Sequence, residues 1–270
     1  QTWLEELAEP SPNQACLAVA APPSGDRVIM SNTKWTFSCR AVASRFGFTR
    51  LRRINDFEAN AHALPHLTPN ELESLDSGQG KARGKLAVVG PGTGLGGATL
   101  ELISGSHHVQ ACEPGSMSLA PGTELELALF HLLLQRHDNL YAELLLSGPG
   151  LTRLYLALAE LQGRAVKPAP PLQISNRAVA KEDPLCVQAL NTFCAMLGSA
   201  CGDFVLANGA YGGLYLAGGI LPSMICYLRN SEFHQRLCAK GTMQQQLNEV
   251  PIYAINRAHP GLLGAAHAPL

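Results

Sequence analysis

The sequence is short of charge and has no long stretch of any single character. Charged residues fill 15% of its 270 positions, against roughly 25% in an ordinary soluble domain. Twenty Lys+Arg stand against 21 Asp+Glu, a net charge of −1, and like charges do not gather into a block. Such a balance argues against a chain that coats nucleic acid or sits on a membrane as a polybasic patch. No apolar run approaches the roughly 18 residues that span a bilayer. No charged segment leads into an apolar one at the start, so a secretory signal is not visible either. The eight cysteines (16, 39, 112, 186, 194, 201, 226 and 238) contain no C-x-x-C and no metal-finger spacing. In a chain this long and apolar they read as reduced, buried thiols of a cytoplasmic protein, not as a disulfide framework. Repeats and low-complexity segments are missing too.

What is present is a hydrophobic fraction of 46%, with 26 glycines and 18 prolines that promise many tight turns. The length suffices for one large domain or two modest ones. Residues 1–9 read as the middle of a helix, an unusual way to open. Cys16 to Ala21 reads as a buried strand closed by Pro22-Pro23-Ser24-Gly25, and Arg27 to Met30 as a short return strand. Ser38 is placed to cap a helix that runs to Arg45 and is closed by Gly47. Leu51 to Ile54 is a strand delivering Asn55-Asp56, and residues 74–83 read as a polar surface loop. Leu86 to Val89 is a buried strand, then a glycine-rich turn, then extended chain from Ala98 to Ile103. Apolar residues at helical spacing predict helices over Thr123–Arg136, Leu151–Leu161 and Asp183–Ala207. Strands at Gly213–Ala217 and Val250–Ile255 and a helix at Gly261–Ala266 complete an α/β pattern.

Four features could carry chemistry. In Gly92-Thr93-Gly94-Leu95-Gly96 the spaced glycines allow backbone N–H groups to approach and surround a phosphate. Gly92, Gly94 and Gly97 satisfy the Rossmann spacing, but extended chain follows where a helix should open, and no Walker A lysine is present. An ordinary tight hairpin explains the turn as well as a phosphate loop does. Asn55-Asp56 sits at a strand's carboxyl end, where open α/β sheets bind ligands. A carboxylate there can take the proton of an attacking hydroxyl, and it can equally cap the helix that follows. Glu113 and Glu143 are acceptors suited to sugar hydroxyls, or solvated surface groups. Gly218-Gly219 after the late strand could admit a nucleotide base, or simply turn the chain into a helix.

Their order is more telling than any one of them. Ser31-Asn32-Thr33-Lys34-Trp35, Ile54-Asn55-Asp56-Phe57, Gly92 to Gly96, Leu146-Ser147-Gly148-Pro149-Gly150, Leu216 to Pro222 and Pro260 to Gly264 together resemble the bacterial glucokinase family. The resemblance covers essentially the whole chain. The zinc-binding cysteine cluster of the separate repressor/kinase sugar-kinase family is missing, which favours the non-zinc type. The resemblance implies an actin-like ATPase (ribonuclease H-like) two-domain α/β fold, with the small domain in residues 1–90 and the large one in 91–270. It implies glucose phosphorylation by MgATP in the cleft between them. Asp56 matches the general base, Asn55 a sugar contact beside it, and Glu113 and Glu143 carboxylates that hold sugar hydroxyls. Gly92, Thr93, Gly94 and Gly96 match a phosphate loop, and Gly218 and Gly219 the adenosine side. Glucose and ATP are the partners implied, Mg²⁺ the ion, and a homodimer the assembly.

Two departures stand out. The family carries Glu-Gly-Gly-His where this chain has Glu113-Pro114-Gly115-Ser116, so Ser116 occupies the place of a sugar-contacting histidine. The family's opening motif, Asp-x-Gly-Gly-Thr-Asn, is not found, which implies an incomplete small domain and a chain that starts some fifty residues into a family member. A non-catalytic sugar-binding protein is the rival expectation.

Overall fold

Residues 12–20, 25–30, 35–76, 78 and 84–270 are described by the computed structural model. The helix expected over residues 1–9 and the tryptophan-flanking segment 31–34 lie outside the described residues. The chain divides into two compact units, Gln1–Leu67 with Ala258–Leu270, and Thr68–Arg257. The division falls at 67/68 and not at the 90/91 boundary expected from the sequence. Its cause is strand pairing: the segments around residues 72 and 86 both hydrogen-bond into the sheet of the second unit.

In the first unit β1 (Gln14–Val19) pairs in parallel with β4 (Arg50–Asn55), placing Val19 opposite Asn55. Strands β2 (Arg27–Ile29) and β3 (Thr36–Ser38) form a separate antiparallel ladder. Helix α1 (Cys39–Phe46) begins where Ser38 Oγ accepts from the Ala41 amide and ends at Gly47, whose φ of 71° is a left-handed turn that glycine takes without strain. Helix α2 (Asp56–Ala63) follows β4 directly. One small cluster of buried side chains joins Val19 to Val28, and another joins Ile54 and Ala59 to Ala268.

The second unit holds a six-stranded sheet in the order β5-β10-β9-β6-β7-β8. Its strands are β5 (Leu72–Asp76), β6 (Leu86–Pro91), β7 (Leu95–Ile103), β8 (Ser106–Cys112), β9 (Gly213–Leu216) and β10 (Ile252–Ile255). Residues 74–76, expected in a loop, are thus the end of β5. The centre, β10-β9-β6, is parallel, and the flanks are antiparallel. Strand β6 is buried along most of its length, as a parallel strand covered on both faces must be. The core that covers it comes from α3 (Glu124–Leu134), α4 (Ala142–Leu145), α5 (Gly148–Leu161), α6 (Pro171–Val179) and α7 (Pro184–Asn208).

Helix α7, at 25 residues, is long and apolar enough to cross a membrane. Its side chains are the reason: Leu190, Phe193, Cys194, Leu197, Cys201 and Val205 are buried in the unit's core. It is apolar because it is central. Helices α8 (Ile225–Arg229) and α9 (Phe233–Cys238) then pack beside it, Phe233 lying within the same core. A bidentate ion pair buried between α3 and α9 ties this layer together. Arg236 Nη1 and Nη2 donate to Glu126 Oε1 and Oε2 at 2.6 and 2.9 Å, and the Gly122 amide donates to Oε2 at 2.6 Å.

Candidate functional site

In the first unit the predicted residues lie at the junction of β4 and α2. The helix cap is Asn55 and not Asp56. Asn55 Oδ1 accepts from the amides of Phe57 and Glu58 at 2.8 and 3.3 Å, while Glu58 Oε2 accepts from the Asn55 amide at 3.3 Å. This reciprocal pair is a capping box, and it follows from Asn at the cap with Glu three residues on. Arg52 Nη2 donates to Glu58 Oε1 at 2.9 Å and steadies the box.

With Asn55 closing the helix, Asp56 is released from that duty. It stands first in α2, its Oδ1 accepting the Phe57 amide at 3.0 Å. Burial pushes the Asp56 carboxyl above its ordinary value, against the smaller downward pull of the Phe57 and Asp56 amides. A half-buried carboxylate with raised proton affinity is a better base than a solvated one. The cap leaves Asn55 Nδ2 without an acceptor among the described residues, a donor beside an acceptor at one strand end.

In the second unit the parallel strands β6 and β9 end side by side, the Ala217 amide donating to the Val89 carbonyl at 2.9 Å. From β6 the chain turns through Gly92, Thr93 and Gly94 and returns at once as β7. The turn is closed by the Gly92 amide donating to the Gly94 carbonyl at 2.8 Å. Extended chain resumes at Leu95, earlier than the sequence indicated, so Gly96 lies inside the ladder opposite Gly90. This is a hairpin, and the helix that a Rossmann loop would require is not its continuation.

A helix does reach the turn, but from elsewhere in the chain. Helix α5 opens with Ser147 Oγ accepting the Gly150 amide, and its first amide, on Gly148, donates to the Gly92 carbonyl at 2.8 Å. Gly218, with φ of 126°, lies against the Pro91 carbonyl so closely that any side chain would collide with it, whereas Gly219 faces open space. Three glycine-bearing segments far apart in sequence therefore meet: the hairpin turn, the start of α5 and the turn after β9. The N-terminus of a 14-residue helix favours anionic oxygens through its dipole, although its first amides, on Gly148 and Gly150, are already donated to the Gly92 carbonyl and Ser147 Oγ.

Glu113 is exposed and leads into a single 3₁₀ turn, Pro114–Ser116, in which the Ser116 amide donates to the Glu113 carbonyl at 3.1 Å. Pro114 packs on Gly97, and a methyl group at Gly115 would come within 3.2 Å of Glu143 Oε2. Glu143, in the short α4, is exposed, yet its Oε2 accepts the Leu95 amide at 2.9 Å. The 113–116 turn, Glu143 and the glycine hairpin thus adjoin. Ser147 and Gly148 lie in a motif segment noted in the sequence, but their contacts to the turn, like that of the Leu95 amide, run through backbone and leave no signal there. No group of three or more His, Cys, Asp or Glu side chains is gathered to hold a metal among the described residues.

A family model described as Glucokinase matches residues 1–269. The glucokinase of Saccharophagus degradans is 38% identical over 266 residues, covering 98% of this chain and 83% of that protein. The crystal structure of a glucokinase from an Antarctic psychrotroph superposes with a TM-score of 0.85 at 41% identity, covering 95% of this chain and 80% of its own. A ROK family glucokinase from Streptomyces griseus, solved with glucose and AMPPNP, shares the fold at a TM-score of 0.61 and 19% identity, covering 92% of this chain and 78% of its own. The α/β fold is the actin-like ATPase fold expected from the sequence motifs. By family match, by identity and by fold alike, the chain belongs to the glucokinase family.

Proposed function

We propose that this protein transfers the γ-phosphoryl group of ATP to the 6-hydroxyl of glucose, forming glucose 6-phosphate and ADP. The observation that carries the reading is Asp56, an acid freed from capping by Asn55 and held above its ordinary proton affinity by burial. As general base it takes the hydroxyl proton while the oxygen attacks phosphorus and the bond to the bridging oxygen of ADP breaks. Asn55 offers Nδ2 as a donor to a sugar oxygen. Glu113 and Glu143 accept from sugar hydroxyls, two acceptors that fix which face of the ring is presented.

Ser116 stands in the place of the family histidine; its hydroxyl donates and accepts but is short and never cationic. Gly92, Thr93, Gly94 and Gly96 receive the phosphates, with the N-terminus of α5 beside them, and Gly218 and Gly219 leave room for the adenosine. Mg²⁺ enters as part of MgATP, held chiefly by phosphate oxygens. The described residues form no cage for the ion by themselves, so no step is assigned to it. Eight free cysteines accord with a reducing, cytoplasmic setting.

The test is a coupled assay in which glucose 6-phosphate is oxidised by its dehydrogenase and NADPH absorbance is followed. ATP-dependent NADPH formation from glucose is expected. Glucose binding by calorimetry with no turnover would overturn the proposal in favour of a non-catalytic sugar-binding protein.

A further inference from the structure

Glu143 is bonded to the glycine turn directly through its side chain, and its backbone is linked to the turn indirectly through Ser147 and Gly148. Its Oε2 accepts the Leu95 amide at 2.9 Å, on the far side of the turn. Its carbonyl accepts Ser147 Oγ at 2.8 Å, the same hydroxyl that caps α5 through the Gly150 amide at 3.1 Å. The first amide of α5, on Gly148, closes the circuit by donating to the Gly92 carbonyl at 2.8 Å. The chain from Gly92 to Leu95 is therefore gripped at both ends, and both grips lead to one residue.

The fit around the carboxylate is close. A methyl group at Gly94 would collide with Oε2, and one at Gly115 would come within 3.2 Å of it. Gly94 thus lets the acid reach the hairpin, while Gly115 lets the 113–116 turn approach the Leu95 carbonyl, which a methyl group there would strike first. A carboxylate has roughly four lone-pair sites, so Oε1 remains available after Oε2 is committed to Leu95. From these contacts we infer that Glu143 is a positioning residue for the nucleotide as well as a sugar ligand, and that it couples the two substrates.

This rests on the reading of Glu143 as an acceptor of sugar hydroxyls. A sugar held on Oε1 restrains the carboxylate, the carboxylate restrains Leu95, and the turn is set to receive phosphate. Because coupling is reciprocal, nucleotide bound at the turn tightens sugar binding by the same factor.

Two substitutions separate the parts. Glu143→Asp keeps the charge but shortens the side chain, so the Leu95 amide is out of reach. Glu143→Gln keeps the length and an amide oxygen for Leu95 but turns one acceptor into a donor. The measurement is the affinity of AMPPNP with and without saturating glucose, by calorimetry, together with the KM values for ATP and glucose. Circular dichroism and a thermal melt confirm that each variant is folded.

In the wild type glucose tightens AMPPNP binding by about 5-fold or more, the low end of measured allosteric couplings. In Glu143→Asp that factor falls to near one and KM for ATP rises. In Glu143→Gln KM for ATP is restored toward wild type while KM for glucose stays high. A rise in KM for glucose alone, with coupling intact in both variants, overturns the inference and leaves the sugar role standing. A rise in KM for ATP with unchanged KM for glucose overturns the sugar role of Glu143, and the coupling with it.

Discussion

Two carboxylates with proposed roles, Asp56 in the first unit and Glu143 in the second, are held by different kinds of contact. In the first unit the hydrogen bonds that set Asn55 and Asp56 come from amides and an acid within three residues along the chain. In the second, Glu143 is set by an amide 48 residues away. Among the described residues of the first unit, one small cluster is centred on Val19 and Val28 and another on Ile54 and Ala59. The second buries a continuous core that includes α5, α7 and the middle of the sheet. A reactive acid needs a defined orientation, and a capping box supplies it from within a few residues of the chain. In the second unit a long-range contact holds an acid against a turn with no local motif at all.

The sharpest test of this contrast is Asp56→Asn. Turnover should fall by roughly 10²–10⁴-fold, the usual contribution of a general base. The unfolding free energy should change by less than about 1 kcal/mol, because the cap belongs to Asn55. A coupled assay and a denaturant titration on the same preparation measure both, and near-normal turnover would remove Asp56 as the base.

In the second unit the counterpart is scaffold, not chemistry. Glu126→Ala strands the Arg236 guanidinium in a site where both side chains are almost wholly buried. Stability should drop by about 3–5 kcal/mol, with kcat per folded molecule unchanged well below the melt. A loss under about 1 kcal/mol would show that this layer does not depend on the pair.

Asn55→Ala removes the local device itself. The expected loss is about 1 kcal/mol of stability, with an increase in KM for glucose. Asn55→Ser distinguishes the two effects, because serine caps a helix but has no Nδ2. Its melting temperature should stay near wild type while KM for glucose remains raised. If serine restores KM as well, the Nδ2 contact is wrong.

The smallest effect is the pH dependence of Asp56. Its carboxyl titrates above the ordinary aspartate value in the folded state, so between those two values the native protein binds more protons than the unfolded chain. Its contribution to stability therefore falls as pH rises through that interval, and Asp56→Asn should flatten the fall. In the wild type, the acid limb of kcat/KM should lie above the range of an exposed aspartate. A limb at the ordinary value would mean that burial does not perturb this group in solution.

Local features were legible in the sequence where the physics is local. Ser38 and Gly47 bound α1 as their types require, and the strand, glycine turn and strand around Gly92 could be read because extended chain resumes within a few residues. Asp56 itself was ambiguous between base and cap. The structure gives the cap to the neighbour, Asn55, a role the residue types permitted but did not force. The strand β8 and the helix α6 passed unnoticed, since His107-His108 and Pro170-Pro171 carry no clear period. The placement of residues 72–76 in the large sheet was also hidden, as pairing with β10 joins positions nearly the whole unit apart in sequence.

By itself, then, the sequence determined the α/β pattern, the motif series, the family likeness and the identities of the acids. These follow from side-chain type and short spacing, which act through nearest neighbours along the chain. Only the tertiary structure decided that Gly218 lies on Pro91, that α5 begins against Gly92, and that Glu143 grips Leu95. Each of those is a contact to backbone, where almost any residue offers the same N–H or C=O. The partner's identity leaves no trace in the sequence, and only the fold reveals which amide is meant.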